Sequence, residues 1–344
     1  MEIMIMFQND YAEGAHPAVL QKLIDTNMEQ SVGYGEDLYC EEARARIRQA
    51  IGKQDADVHF LVGGTQTNLT VIAAALRPHQ GAVCAQTGHI NVHETGSVEA
   101  CGHKVLALPG SEGKITAAQV KEVYENHWKD GSREHMVQPK LVYISHPTEL
   151  GTLYTKRELE ELHDVCNACG LYLFLDGARL AYGLAAEGTD VTLSDIAYLT
   201  DAFYIGGTKV GALFGECVVI NHPALKEDFR YLIKQKGGML AKGRLLGLQF
   251  LAMFENDLYM EMGRHADRLA MKLKRNLQEK GYQFYMDSMT NQQFVIVEDA
   301  KLRELEKEFM FNHETRYDEH HTVIRICTSW ATQEENIDKL LAAL

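Results

Sequence analysis

No apolar run in the sequence approaches the ~20 residues that a membrane-spanning helix needs. Low-complexity tracts, Ser/Pro-rich linkers and short-period repeats are missing too, which excludes solenoids and strings of tethered modules. Positive charge is scarce: 34 Lys and Arg stand against 48 Asp and Glu, a formal net charge of -14. A nucleic-acid surface needs clustered cations, so neither nucleic acid nor membrane is an expected partner, although a local basic pocket for an anion is still allowed. The seven cysteines are odd in number and scattered, so no disulfide framework is expected. Cys166 and Cys169 form a CxxC without a second ligand pair and read as two neighbouring thiols near the end of a helix. His313, His320 and His321 lie among acidic residues in a polar stretch and read as solvated charges, so no metal is expected. Met1 to Phe7 is apolar but has no basic flank, and reads as the start of the fold and not as a leader peptide. Cytoplasm is the default compartment.

What is present is a long alternation of apolar strands and helical patterns. At 344 residues two domains are expected, drawn here as 1–242 and 243–344, with a soft boundary. Strands are predicted at 58–62, 82–85, 105–108, 141–144, 171–175, 202–205 and 217–220. Helices are predicted at 17–27, 40–51, 68–76 and from Lys156 to Ala168. Strands that read as continuous apolar runs between helices imply a mostly parallel sheet covered on both faces. The C-terminal part reads as one long helical pattern from Gly243 to Glu279, strands at 293–297 and 322–326, and a helix at 300–309. A last helix opens on a capping box at Thr332-Gln333-Glu334-Glu335. The fold class is therefore α/β, a large domain followed by a smaller α/β domain.

Three local features carry chemistry. Gly63-Gly64-Thr65-Gln66-Thr67-Asn68 leads from a strand straight into a helix, where small residues and free amides can receive a phosphate. Alone, it is more often an ordinary strand–helix turn. Asp176 ends an apolar strand and Arg179 follows three residues on; strand carboxyl ends are where open α/β sheets bind ligands. An anion there suits the pyridinium nitrogen of pyridoxal 5′-phosphate (PLP), and an arginine can fork onto a carboxylate. Lys209 stands in the glycine-rich bend Gly206-Gly207-Thr208-Lys209 between two apolar strands, surroundings that depress an amine's pKa as Schiff-base chemistry requires. Each feature alone is weak. In this order they make a PLP site.

On these residues the chain resembles the threonine aldolase family of fold-type I PLP enzymes, closest to the low-specificity L-threonine aldolases. The resemblance runs through Asn9-Asp10, Tyr34-Gly35-Glu36-Asp37, Gly64 to Asn68, Gly88-His89-Ile90 with Glu94, Pro147-Thr148-Glu149, Asp176 to Leu180, Gly206 to Lys209, and Arg325. It implies a fold-type I PLP-dependent transferase-like architecture and retro-aldol cleavage of threonine-like β-hydroxy-α-amino acids to glycine and an aldehyde. It also implies that Lys209 carries the cofactor, Asp176 meets its ring nitrogen, Gly64, Thr65 and Thr208 lie at the phosphate end, and His89 stacks on the ring. Arg179 and Arg325 would hold the substrate carboxylate, and Asn9, Glu94 and Glu149 would face the substrate. Tyr34, Lys242 and Arg244 would reach a neighbouring subunit's site, which implies a homo-oligomer, dimer or tetramer. The sequence departs from the family at Gly63 and Asn9, where serine is common, and at Glu149, where some members have histidine. The base is therefore open among His89, Glu94, Glu149, His146 and water. A β-eliminating lyase or aminotransferase on the same scaffold, or a non-catalytic PLP-binding protein, are the competing readings.

Overall fold

A computed structural model describes residues 4–344, so Met1 to Ile3 of the apolar start lie outside the described residues. The strands in chain order are β1 (Ile5–Met6), β2 (Asp57–Leu61), β3 (Gln80–Ala85), β4 (Lys104–Leu108), β5 (Gln138–Ser145), β6 (Tyr172–Asp176), β7 (Ala202–Gly206), β8 (Glu216–Ile220), β9 (Phe284–Met286), β10 (Gln292–Glu298), β11 (Phe309–Met310), β12 (Asn312–Arg316) and β13 (His321–Cys327). Seven of them form one sheet in the order β2-β8-β7-β6-β5-β3-β4. Every pairing in it is parallel except those of β8, which runs antiparallel to both β2 and β7.

The expected parallel sheet is thus present, and the reason its strands read as unbroken apolar runs is visible in their packing. Val142, Leu173, Leu175, Phe203 and Val219 face one core; Leu141, Tyr143, Phe174, Tyr204 and Val218 face the other. Alternate residues point to opposite faces, and both faces are covered by helices. Because β8 is reversed, its first residue, Glu216, lies at the same edge as the last residues of β2, β3, β5, β6 and β7. That edge is where the chemistry gathers.

The C-terminal part packs a four-stranded antiparallel sheet, β12-β13-β10-β9, against the helices 258–279 and 334–343 around a third core. Three expectations fail here. The long helix from Gly243 to Glu279 is two helices, Arg244–Met253 and Leu258–Glu279. The break falls at Asn256 and Asp257, both with left-handed φ, 52° and 62°, a conformation that polar Asn and Asp tolerate better than most residues. The capping box at Thr332 does not form, because the Thr332 hydroxyl accepts the Ser329 N–H and Gln333 becomes the N-cap of a helix starting at Glu334. The predicted helix 300–309 also stops early, at Leu305, and Phe309 enters β11.

The N-terminal segment belongs to this second layer by contact. β1 pairs in parallel with β11, Phe7 sits in the third core, and the Cys327 N–H donates to the Phe7 carbonyl. None of the described helices is long and apolar enough to cross a membrane.

Candidate active site

A cleft of about 350 Å³ opens at the carboxyl edge of the large sheet, a size within the roughly 300–1,000 Å³ usual for small-molecule sites. Its wall is made by Gly63, Gly64 and Thr65 after β2, His89 after β3, Ser145 and Glu149 after β5, Asp176, Ala178 and Arg179 from β6 onward, and Thr208, Lys209 and Glu216 around the bend between β7 and β8. The three sequence features therefore meet. What brings them together is the close approach of two glycine-containing turns: the Gly206 N–H donates to the Gly177 carbonyl at 2.9 Å, and a Cβ on Gly206 would sit 2.2 Å from the Ala178 carbonyl oxygen. Only glycine allows that contact, so Asp176 and Lys209 share one edge because their turns lack side chains.

At one end of the cleft the helix Gly64–Ala75 begins directly after β2, with Gly63 as its N-cap. Its first amides and positive end face the cleft, the arrangement that receives phosphate groups. A buried hydroxyl without a partner among the described residues, Thr67 Oγ1, lies in the same first turn.

Asp176 is buried and accepts four hydrogen bonds. Oδ2 takes the Tyr143 hydroxyl at 2.6 Å and the Asn68 amide at 3.0 Å, and Oδ1 takes the Tyr204 hydroxyl at 2.5 Å and the Ala178 N–H at 3.0 Å. Burial alone would push this carboxyl up; the neighbouring His89 and the donors from Tyr143, Tyr204 and Asn68 outweigh it and hold the pKa below the ordinary value. The site thus contains a permanent buried anion. Lys209 is its counterpart: burial and the nearby Arg179 charge push its ammonium pKa down, against the pull of Asp10, Asp176 and Glu216.

His89 is held by its back. Its Nδ1 donates to Glu94 Oε1 at 2.9 Å, and the same oxygen accepts the Asn68 amide at 2.7 Å. Glu94, expected to face the cleft, has a fully covered side chain outside the cleft lining, behind His89, and also takes the Ser97 hydroxyl. Glu149 does reach the cleft. Its Oε1 accepts the Ser145 hydroxyl at 2.6 Å and the His89 N–H at 2.9 Å, while burial pushes its pKa up despite these donors.

Arg179 lines the cleft, but its Nε and Nη2 already donate to the Asp10 carboxylate at 2.6 and 3.0 Å. Two of its donors are therefore not free for a substrate carboxylate. Asp10 is completely buried and also accepts the Asn291 amide at 2.9 Å. Its neighbour Asn9 turns away and accepts the Tyr11 N–H, so Asn9 does not line the cleft; Tyr11 does. Arg325, on β13, is outside the lining, yet its Nε is buried without a partner, and the Cys327 thiol lies in the joint field of Arg325, Arg179 and Lys209. Among the described residues the Arg325 Nε thus has no partner, and its charge is felt beside the cleft.

Tyr34, Lys242 and Arg244 do not join this chain's own cleft. Tyr34 lies at an exposed pocket with Arg230, Lys234 and Met239, under the Lys234 ammonium at 4.9 Å from its ring centroid. Lys242 is exposed, and Arg244 donates to the carbonyls of Glu29 and Asn27. His146 is also elsewhere: its ring packs against Gly183, and neither ring nitrogen has a hydrogen-bond partner among the described residues.

That histidine carries a pH prediction. Burial pushes the His146 pKa from 6.5 down to about 4. Below the ordinary value the unfolded chain takes up a proton that the folded chain refuses, so stability is lost as pH falls through this window, by up to ~1.4 kcal/mol per pH unit. His146→Leu should move the acid-unfolding midpoint to lower pH, followed by circular dichroism; an unchanged midpoint would refute the assignment.

Chemically, the cleft gathers the amides of a helix start at Gly64 and Thr65, a buried carboxylate at Asp176 and an amine at Lys209, groups suited to a phosphate, a protonated ring nitrogen and a carbonyl. The class that this arrangement suggests agrees with comparison to known proteins. The chain belongs to the beta-eliminating lyase family, whose model matches residues 8–300. The solved structure of the threonine aldolase of Leishmania major has 45% identical sequence and a TM-score of 0.95, covering 98% of each chain. The low-specificity L-threonine aldolase of Pseudomonas aeruginosa is 29% identical over 269 residues, 78% of this chain and 76% of that one. An aspartate aminotransferase of Thermus thermophilus shares the fold at 17% identity, with a TM-score of 0.73, over 99% of this chain and 91% of that one.

Proposed function

We propose that this chain is a PLP-dependent lyase that cleaves β-hydroxy-α-amino acids such as threonine and allo-threonine to glycine and an aldehyde. The observation that carries the reading is Lys209, a buried amine with a lowered pKa in one cleft with the anion of Asp176 and the helix start at Gly64. The residues present fit PLP. The amides of Gly64 and Thr65 and the Thr65 hydroxyl would hold the phosphate with Thr208 nearby, Asp176 would keep a proton on the ring nitrogen, and His89, fixed by Glu94, would cover one ring face. Lys209 would carry the cofactor at Nζ. When bound, PLP supplies a protonated ring that accepts the electrons of the breaking Cα–Cβ bond.

The chain's own residues then have distinct tasks. Arg325, with whatever donor Arg179 keeps free of Asp10, would hold the substrate carboxylate and so fix which bond stands perpendicular to the ring. Glu149 is the base that the geometry favours. It lines the cleft, its Oε1 is fixed by Ser145 and the His89 amide, and Oε2 is left for the β-hydroxyl proton. Glu94 is enclosed behind His89, and His146 points away. Glu149→Gln should lower kcat for aldol cleavage by roughly 10²–10⁴-fold with little change in KM. Because burial raises this carboxyl, wild-type activity should climb with pH through that raised value. A variant within twofold of wild type would remove Glu149 from the role.

Product analysis tests the whole reading. PLP-loaded protein given threonine, allo-threonine or phenylserine should yield glycine and the matching aldehyde. A 2-keto acid with ammonia would mark an eliminating lyase, and a 2-keto acid without it an aminotransferase.

We also propose that the chain works as a homo-oligomer in the cytoplasm, with two lobes meeting near residues 242–243. Tyr231, which is 76% exposed, shares an open pocket with the exposed Tyr34, and large exposed apolar side chains in company mark an interface. Tyr34 and Lys242 would then serve the site of a second copy.

A further inference from the structure

The bend that carries Lys209 is stapled to the start of β8. The Gly207 and Thr208 amides donate to the Gly215 carbonyl at 3.1 and 3.0 Å, and the Gly215 N–H donates to the Thr208 hydroxyl at 2.9 Å. Glu216 comes next, buried, at the head of a strand that is otherwise wholly apolar, and its side chain lines the same cleft as Lys209. Its Oε2 accepts the Gly207 N–H at 2.9 Å. Among the described residues it has no ion-pair partner within 4.0 Å. A buried carboxylate with one amide donor and no cation in contact is costly to keep ionised. Core packing does not require it, since the four residues after it in β8 are Cys, Val, Val and Ile.

We propose that Glu216 is a positioning residue for Lys209: it is the counter-charge of Nζ and the place where the Nζ proton rests while the lysine is free of the cofactor. The step balances within the pair. As an N–H bond of the Lys209 ammonium breaks, an O–H bond forms on the Glu216 carboxylate, leaving a neutral amine and a neutral acid; the reverse transfer restores both charges. No charge enters or leaves the cleft.

The surroundings allow this exchange. Burial pushes the Glu216 carboxyl up to about 7, against the Gly207 amide, the Thr208 hydroxyl and the Lys209 charge. Asp176 raises it further, and the other titratable groups that feel Glu216 are the phenols of Tyr204 and Tyr259 and the thiol of Cys217, all held far on the neutral side by burial. From β2 and the helix 244–253, the neighbours are apolar: Leu61 pairs with Glu216, and Leu246 and Phe250 cover Gly215. Lys209 is therefore the cation that answers it.

This inference rests on the PLP reading, and its test keeps the two apart. The visible absorbance of the Lys209-linked cofactor is titrated with pH in the loaded wild type, in Glu216→Gln and in Glu216→Asp. Glutamine keeps the shape and can still accept the Gly207 N–H but loses the charge. The expected result is a titration midpoint about one pH unit lower in Glu216→Gln, because a positive nitrogen loses its counter-charge, and a midpoint near wild type in Glu216→Asp. Glu216→Ala reads the same charge loss should the amide variant fail to fold. An unchanged midpoint in a folded neutral variant overturns the role of Glu216 and leaves the PLP reading standing. A wild type that gains no visible absorbance with PLP overturns that reading itself.

Discussion

Lys209→Ala should reduce cleavage of threonine by at least roughly 10⁴-fold and leave a protein that PLP no longer labels covalently. The expectation follows from the inventory of amines at the cleft. Among the described residues Lys209 is the one lysine in its wall, and Arg179 is fixed on Asp10 and always charged, so no neighbour in that wall can supply a neutral amine. Borohydride reduction of the loaded wild type should fix the cofactor mass on the peptide that contains Lys209, and the variant should gain none. Because the bend is held by the Gly207, Thr208 and Gly215 backbone, removing the side chain should leave the fold intact by circular dichroism. Aldolase activity retained by the variant without added amine would sink the assignment.

Asp176→Asn should cost roughly 10³-fold in kcat while still allowing Lys209 to be labelled. Each carboxylate oxygen accepts two donors, Tyr143 and Asn68 on one, Tyr204 and the Ala178 amide on the other. An asparagine amide must therefore point its NH₂ at one fixed donor, the Asn68 amide or the Ala178 N–H, whichever way it is turned, and force a phenol to turn and accept, so the substitution brings conflict as well as removing the charge that keeps a ring nitrogen protonated. The loss should appear in kcat and not in the extent of labelling. A variant with more than about a tenth of wild-type kcat would show that the anion is dispensable.

Much of this site was legible in the sequence because its parts sit at strand ends, and strand ends follow from apolar runs. Asp176 and Lys209 could be located from the strands around them, and Gly64 from the turn after β2. What escaped were side chains whose meaning depends on the opposite element. Tyr143 and Tyr204 lie inside apolar strands and look like core, yet both hydroxyls end on Asp176. Asn68 looks like a helix residue, yet its amide joins Glu94 to Asp176. Glu216 is a lone acid at the head of an apolar strand, and only the reversal of β8 brings it to the active edge. The break between the helices at 253 and 258 was hidden for another reason: the apolar pattern continues across it, and only the left-handed Asn256 and Asp257 reveal it.

The pin between Asp10 and Arg179 has a consequence for biosynthesis. Asp10 is held in place by Asn291, and the strand before it by β11 and the Cys327 amide, partners hundreds of residues downstream. A growing chain can assemble the large sheet with Asp176 and Lys209 long before residue 327 has left the ribosome. Until then the segment that bears Asp10 lacks the partners that seat it against Arg179, so the cleft reaches its final form only after residues 291–327 have been made.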